Sequence, residues 1–391
     1  MNDAIQHEPS TDVVVTTVAG QVAPTHYSDS TEYNEMVLSL LRQSARAGNA
    51  DSQSKLGAMY ACGDGVPKNY SVAFAFLRRA ADKGHALALY NLGVMYGQGY
   101  GVEVNPEVAF NCYSKAAERG SLDGLNNLGV CYQHGFGCVR NVELAFAKFR
   151  EAAERGYVIA LSNCGYMKEL GLGTNLDEEE ALRYYRSASS RGCVEATYNL
   201  GRLYIFTKTF YSDFGLGRGT LLKASKLGSG DAFNLLGCIA YKGFKAPRDY
   251  AQARQYFLEA ERLGNAAALN NLAWLHQHGY GVPVDLEKAI RYYNQSAALG
   301  YSSAQCNLGF LYSQGLGVAK DSSKAFELFS RAAEADNFTG MFNLALVHLD
   351  PDSGHHDPTR AASLLKKCAL EGFAEARELL EELGSPTTPR A

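Results

Sequence analysis

The chain has 391 residues, 46% of them hydrophobic, with a formal charge of −4 and a pI near 6.2. That composition supplies a buried core and excludes a general positive field for nucleic-acid phosphates, so no nucleic-acid partner is expected. Its nine cysteines, an odd set without a CxxC pair, favour reduced thiols in a cytoplasmic protein over a disulfide or zinc framework.

Residues 1–30 open with Asn2 and Asp3 and carry Glu8 and Asp12, and the first Lys or Arg is Arg42. The segment does not read as a secretory or mitochondrial leader and is expected to be disordered. The apolar run VVVTTVAGQVA at 13–23 is too short and too polar to cross a bilayer, and no later stretch does better, so no membrane insertion is expected. An N-terminal capping helix is predicted over 31–48.

From 49 to 372 the sequence repeats every 36 residues. One column runs Gly57, Gly93, Gly129, Gly165, Gly201, Gly237, Ala273, Gly309 and Ala345. A second runs from Gly48 through Gly84, Gly120, Gly156 and Gly192 to Gly372, with Asp336 as its exception. A third runs Asn69, Asn105, Asn141, Asp177, Asp213, Asp249, Asp285, Asp321 and Asp357.

Three columns in phase describe one unit of helix, loop, helix and turn. The Asn/Asp column suits the N-cap of the second helix, where a short side-chain oxygen takes a free backbone N–H. Pro106 and Pro358 follow two of those caps at the first helical position. The column that starts at Gly48 suits the left-handed residue that ends the second helix. Within that helix an alanine column (Ala73, Ala109, Ala145 and onward) precedes by four residues a bulky one (Leu77, Tyr113, Phe149, Tyr185 and onward). Small and large side chains on one face let neighbouring helices interlock. The first helix carries its own small column, from Ala88 and Gly124 to Ala304 and Gly340. Residues 373–384 close the array as a C-terminal capping helix bearing Glu375, Glu378, Glu381 and Glu382. The tail 385–391 is expected to be disordered, with Ser385 and Thr388 each preceding a proline.

The glycine-rich GQGYG at 97–101 raises the question of a phosphate loop. Such a loop follows a strand and opens a helix, whereas this one follows a helix and recurs as GDG, GFG, GLG and GYG, so it reads as the joint between the two helices.

The frame NLGVMYGQGYGV, followed by the capped second helix and AAERG, resembles the Sel-one-like repeats, relatives of the tetratricopeptide repeats. The resemblance implies an all-α, right-handed alpha-solenoid of about nine 36-residue helix-loop-helix repeats over 49–372. It implies a scaffold that holds other proteins together, as in membrane-protein degradation complexes, cell-wall regulation and bacterial host interaction. This sequence shows no signal peptide or anchor, no prenylation cysteine and no cysteine pair in each unit, which sets it apart from those three branches.

In the tetratricopeptide fold an asparagine on the first helix clamps the backbone of a bound peptide. The matching column here is Asn91, Asn127, Asn163, Asn199, Asn271, Asn307 and Asn343. These amides either grip a partner or bond neighbouring helices. One residue after the glycine column the series is broken by Tyr166, Arg202 and Trp274, the residue types that anchor interfaces or, in the blander reading, fill gaps in a core. The fifth unit departs most, with TKTF at 207–210 where neighbours carry Gly-x-Gly, and with Gly215, Gly217 and Gly219 in its second helix. It is a hinge, a contact patch built from Phe210, Tyr211 and Phe214, or a drifted repeat held by its neighbours.

No nucleophile elbow, HExxH or Ser/His/Asp set stands outside the repeat grammar, and no cofactor or metal site is called. His276 and His278 point to opposite sides of a helix, and His355 with His356 reads as a solvated loop. The leading expectation is a non-enzymatic scaffold or adaptor that binds extended segments of one or more proteins on its concave face. The alternative is a regulatory subunit that activates or localises a partner enzyme through the fifth unit.

Overall fold

The computed structural model describes residues 31–207 and 210–384. The expectations for 1–30 and 385–391, including Ser385 and Thr388, and the Lys208–Thr209 part of the TKTF stretch lie outside the described residues. Among those described, twenty α-helices and no strands occur, so the chain is an all-α repeat solenoid.

The chain divides into two compact bodies, one ending at Asp213 and the other beginning at Phe214. In the first, Thr31–Arg46 precedes four helix pairs (Ala50–Cys62 with Tyr70–Ala81, Ala86–Gln98 with Pro106–Glu118, Leu122–His134 with Val142–Glu154, Val158–Leu170 with Glu178–Ser190) and then Val194–Phe206. In the second, Phe214–Lys226 precedes four more pairs (Gly230–Lys242 with Tyr250–Arg262, Ala266–His278 with Leu286–Ala298, Ser302–Gln314 with Ser322–Glu334, Phe338–Leu349 with Pro358–Leu370) and the final Ala374–Gly384.

Each sequence column has its physical cause in the packing. The side chains of Asn69, Asn105, Asn141, Asp177, Asp249, Asp285, Asp321 and Asp357 all accept the backbone N–H three residues on. Each such cap is worth about 1 kcal/mol against alanine. The alanine column and its bulky partner are buried throughout, with Tyr185, Tyr293, Phe149 and Phe257 among the largest fully enclosed side chains. Opposite each ring lies the glycine column: a Cβ at Gly129 would stand 2.7 Å from Phe149, and one at Gly237 2.4 Å from Phe257. The glycines therefore mark a close approach of the two helices in a unit.

The Gly-x-Gly joint has two separate tasks. Gly135 ends its helix in the left-handed conformation at φ 72°. Gly137 brings the loop against the start of the preceding unit's second helix, where a Cβ would lie 2.0 Å from the Pro106 carbonyl oxygen. In the fifth unit Val194–Phe206 ends instead on Thr207 with extended φ −59°, ψ 141°. Its second helix still forms over Phe214–Lys226 despite three glycines.

Candidate functional site

The asparagine column stitches units together. Asn163 Nδ2 donates to Asn126 Oδ1 of the preceding unit at 2.9 Å, Asn271 to Asn234 at 2.8 Å and Asn307 to Asn270 at 2.9 Å. Asn127 hydrogen-bonds the hydroxyls of Tyr90 and Tyr113. Asn271 is only 4% exposed and also reaches Cys238 Sγ at 3.6 Å. At these four positions the amide donors serve the stack. Asn91, Asn199 and Asn343 are half-buried.

Tyr166 and Arg202 flank a partner that the sequence columns do not single out. Arg202 Nη2 lies 2.7 Å from both carboxylate oxygens of Glu169, and Tyr185 Oη donates to the same carboxylate at 2.9 Å. The pair is largely enclosed, with the Arg202 side chain 19% and the Glu169 side chain 9% exposed. Burial alone would lower the Arg202 guanidinium pKa, but the adjacent carboxylate outweighs it and holds it above its ordinary value. Burial, with Glu169 next, raises the Tyr166 hydroxyl.

Trp274 occupies the equivalent position in the other body. Its Nε1 donates to Tyr241 Oη at 3.0 Å, so the half-exposed indole is held in one orientation. The His278 ring lies over it at a centroid distance of 3.9 Å, and Tyr280 stacks on His278 at 5.7 Å and on Tyr250 at 5.1 Å. Trp274, His278, Tyr280, Tyr250 and Tyr241 form one aromatic patch, of which sequence reasoning named Trp274 as an anchor and His278 but none of the tyrosines. The missing signal is an offset of 33 residues that links Trp274 to Tyr241 and Arg202 to Glu169 alike.

The fifth-unit residues are divided between the two bodies, Phe210 and Tyr211 in the first and Phe214, Gly215, Gly217 and Gly219 in the second. Phe210 is 99% exposed and meets Tyr211 edge-on at 6.2 Å. Phe214 instead packs on Phe244 at 5.8 Å, with Lys245 over its ring. Gly217 is buried, whereas Gly215 and Gly219 are exposed.

A model of the Sel1 repeat matches residues 50–85, 86–121, 122–157, 158–193, 231–265, 266–301 and 302–337. The chain belongs to the Sel1 repeat family. As a Sel1 repeat protein it carries units that generally mediate protein–protein interaction. The family model passes over 194–230, the stretch that holds the altered fifth unit. The fold is similar to that of a protective antigen from uropathogenic Escherichia coli strains displaying an SLR fold, at 29% identity and a TM-score of 0.53, over 88% of this chain and 74% of that one. It is also similar to a Sel1 repeat protein from Oxalobacter formigenes, at 29% identity and a TM-score of 0.53, over 73% of this chain and 83% of that one. No curated protein matches the sequence.

All nine cysteines of this Sel1 repeat protein are free thiols, and burial pushes those of Cys131, Cys164 and Cys238 up to about 12. Among the described residues no cluster of His, Cys, Asp or Glu is suited to a metal ion, and no helix is long and apolar enough to cross a membrane.

Proposed function

We propose that the chain is a non-enzymatic scaffold of the reducing cytoplasm that grips an extended segment of a partner protein, with Trp274 as its anchor. The Trp274 patch carries this reading. A tryptophan that stays half-exposed while Tyr241 fixes its indole loses little freedom on binding, which is what concentrates affinity in a few interface residues. His278 and Tyr280 extend the apolar surface beside it and supply polar edges. Free cysteines throughout support the reducing setting. Tyr166 and Arg202 are the matching contacts in the other body, with Asn91, Asn199 and Asn343 as the half-buried amides best suited to a partner backbone. Replacing Trp274 by alanine is expected to abolish partner capture while the helical circular-dichroism signal stays unchanged; undiminished capture refutes the assignment.

A second reading is favoured by Phe210, fully exposed in the stretch that the family model does not match. In it the chain is a regulatory subunit that activates or localises a partner enzyme through the fifth unit. Phe210→Ser would then lower the output of that enzyme without altering capture through Trp274. Unchanged output counts against it.

A further inference from the structure

Between successive units a residue of the second helix, five after its cap, meets a residue of the next first helix, three after the glycine column. At three junctions this contact joins two rings: Phe74 meets Tyr96 at 5.7 Å, Phe110 meets Tyr132 at 5.5 Å and Phe326 meets His348 at 5.7 Å. In the fourth unit the slot holds Lys168 instead. There Lys168 Nζ is buried over the Phe146 ring and bound 2.7 Å from Glu180 and 3.0 Å from Asn175 Oδ1. The cation is neutralised from within by a carboxylate three residues after the cap.

The seventh unit has the same slot with the charges left open. Arg254 and His276 replace the aromatic pair, and Lys288 stands where the fourth unit has Glu180. His276 is 6% exposed, and its Nδ1 has no hydrogen-bond partner among the described residues. The buried Arg254 Nε, an obligate donor, has none either. Neither the Arg254 nor the Lys288 side chain pairs with a described carboxylate. Burial first, then Lys288 and Arg254, hold the His276 pKa below its ordinary value, and Asp285 is the only opposing charge acting on it. Asp285 Oδ1 is committed to the Lys288 backbone N–H as the helix cap at 2.8 Å. Tyr292 closes one side with its ring 6.0 Å from that of His276, and its hydroxyl senses Glu261, Arg254 and Arg291.

We infer that Arg254, His276 and Lys288 form a slot that binds a carboxylate, the acidic side chain of a protein segment, which supplies from outside the charge that Glu180 supplies internally in the fourth unit. Two orphaned buried nitrogens and two unpaired cations are the complement of that group, and a buried donor without an acceptor is costly enough to make its satisfaction a driving force. The slot lies about 200° around the helix from Trp274, so it is a separate contact from the Trp274 patch.

The test uses the full chain with labelled histidine, followed by NMR at neutral pH and low salt. The probes are a tetraglutamate peptide and sodium acetate, with tetraglutamine and acetamide as neutral controls. Tetraglutamate is expected to shift the His276 ring signals saturably and to raise the titration midpoint of His276, while the neutral controls do neither. Arg254→Gln should weaken this about tenfold, the usual worth of a charge-assisted hydrogen bond. Lys288→Glu, which recreates the fourth-unit arrangement, should abolish peptide binding and raise the His276 midpoint without ligand, at unchanged helical content. No saturable His276 shift with either carboxylate probe, equal shifts with the neutral controls, or full binding by Lys288→Glu would overturn the slot. Acetate binding as tightly as the peptide would overturn the protein segment as the source of the carboxylate.

Discussion

Adding one methyl group at Gly165 and one at Gly219 is expected to move stability in opposite directions. Both glycines lie inside helices, where alanine is favoured by about 1 kcal/mol. At Gly165 the new Cβ would stand 2.7 Å from Tyr185 Cε1 and 2.8 Å from Cδ1. That ring is wholly buried and its hydroxyl is tied to Glu169 at 2.9 Å, so it has nowhere to move. Overpacking of this kind costs about 1–3 kcal/mol, which leaves Gly165→Ala destabilised by up to about 2 kcal/mol after the helix gain. At Gly219 no atom lies within 4 Å of the Cβ position and the backbone is not left-handed. Gly219→Ala should therefore keep the whole gain, about 1 kcal/mol. Because repeat arrays do not always unfold as one unit, hydrogen exchange read separately over Val158–Leu170 and Phe214–Lys226 is the suitable assay. Gly165→Ala exchanging no faster than the parent, or Gly219→Ala exchanging faster, would refute the reasoning.

Arg202→Ala leaves the enclosed Glu169 carboxylate unpaired and is expected to cost about 3 kcal/mol, with much of that loss removed when Glu169→Gln is already present; a double-mutant cycle by urea unfolding measures the coupling, and additive effects would contradict it. Asn271→Ala should lose about 1–2 kcal/mol through the broken bond to Asn234, seen as a lower urea midpoint with no partner present. The third outcome concerns pH. Burial keeps His276 below its ordinary value, so as pH falls below about 6.5 the unfolded chain takes up a proton that the folded one resists. This contribution to stability is present above that pH and is lost from there down to the folded value. His276→Gln should accordingly show a smaller drop in urea midpoint than the parent between neutral and mildly acidic pH, and an identical drop would remove His276 as the cause.

The unit was legible in the sequence because each column answers to a requirement that recurs in every period. A cap needs a short acceptor, a close approach needs glycine, and Asn105, Gly129 and Phe149 meet those needs at fixed spacing. The contacts between units were not legible, since they join unlike columns. Asn163 meets Asn126, and Trp274 meets Tyr241, across offsets of 37 and 33 residues rather than 36. An asparagine that faces a ligand and one that faces its neighbour look the same along the chain. The seventh-unit slot left a trace, because Arg218 and then Arg254 break the run of Phe74, Phe110, Phe146 and Leu182, but only the burial of His276 gives the second of these breaks a chemical meaning.

The most direct measurement is affinity capture from the native cell with the tagged chain and its Trp274→Ala and Arg202→Ala variants, each first matched to the parent in helical content. A scaffold anchored at Trp274 predicts that one reproducible set of proteins is retained by the parent and lost with Trp274→Ala, with Arg202→Ala weakening the same set. Recovery of that set in equal amounts by a folded Trp274→Ala variant would contradict it.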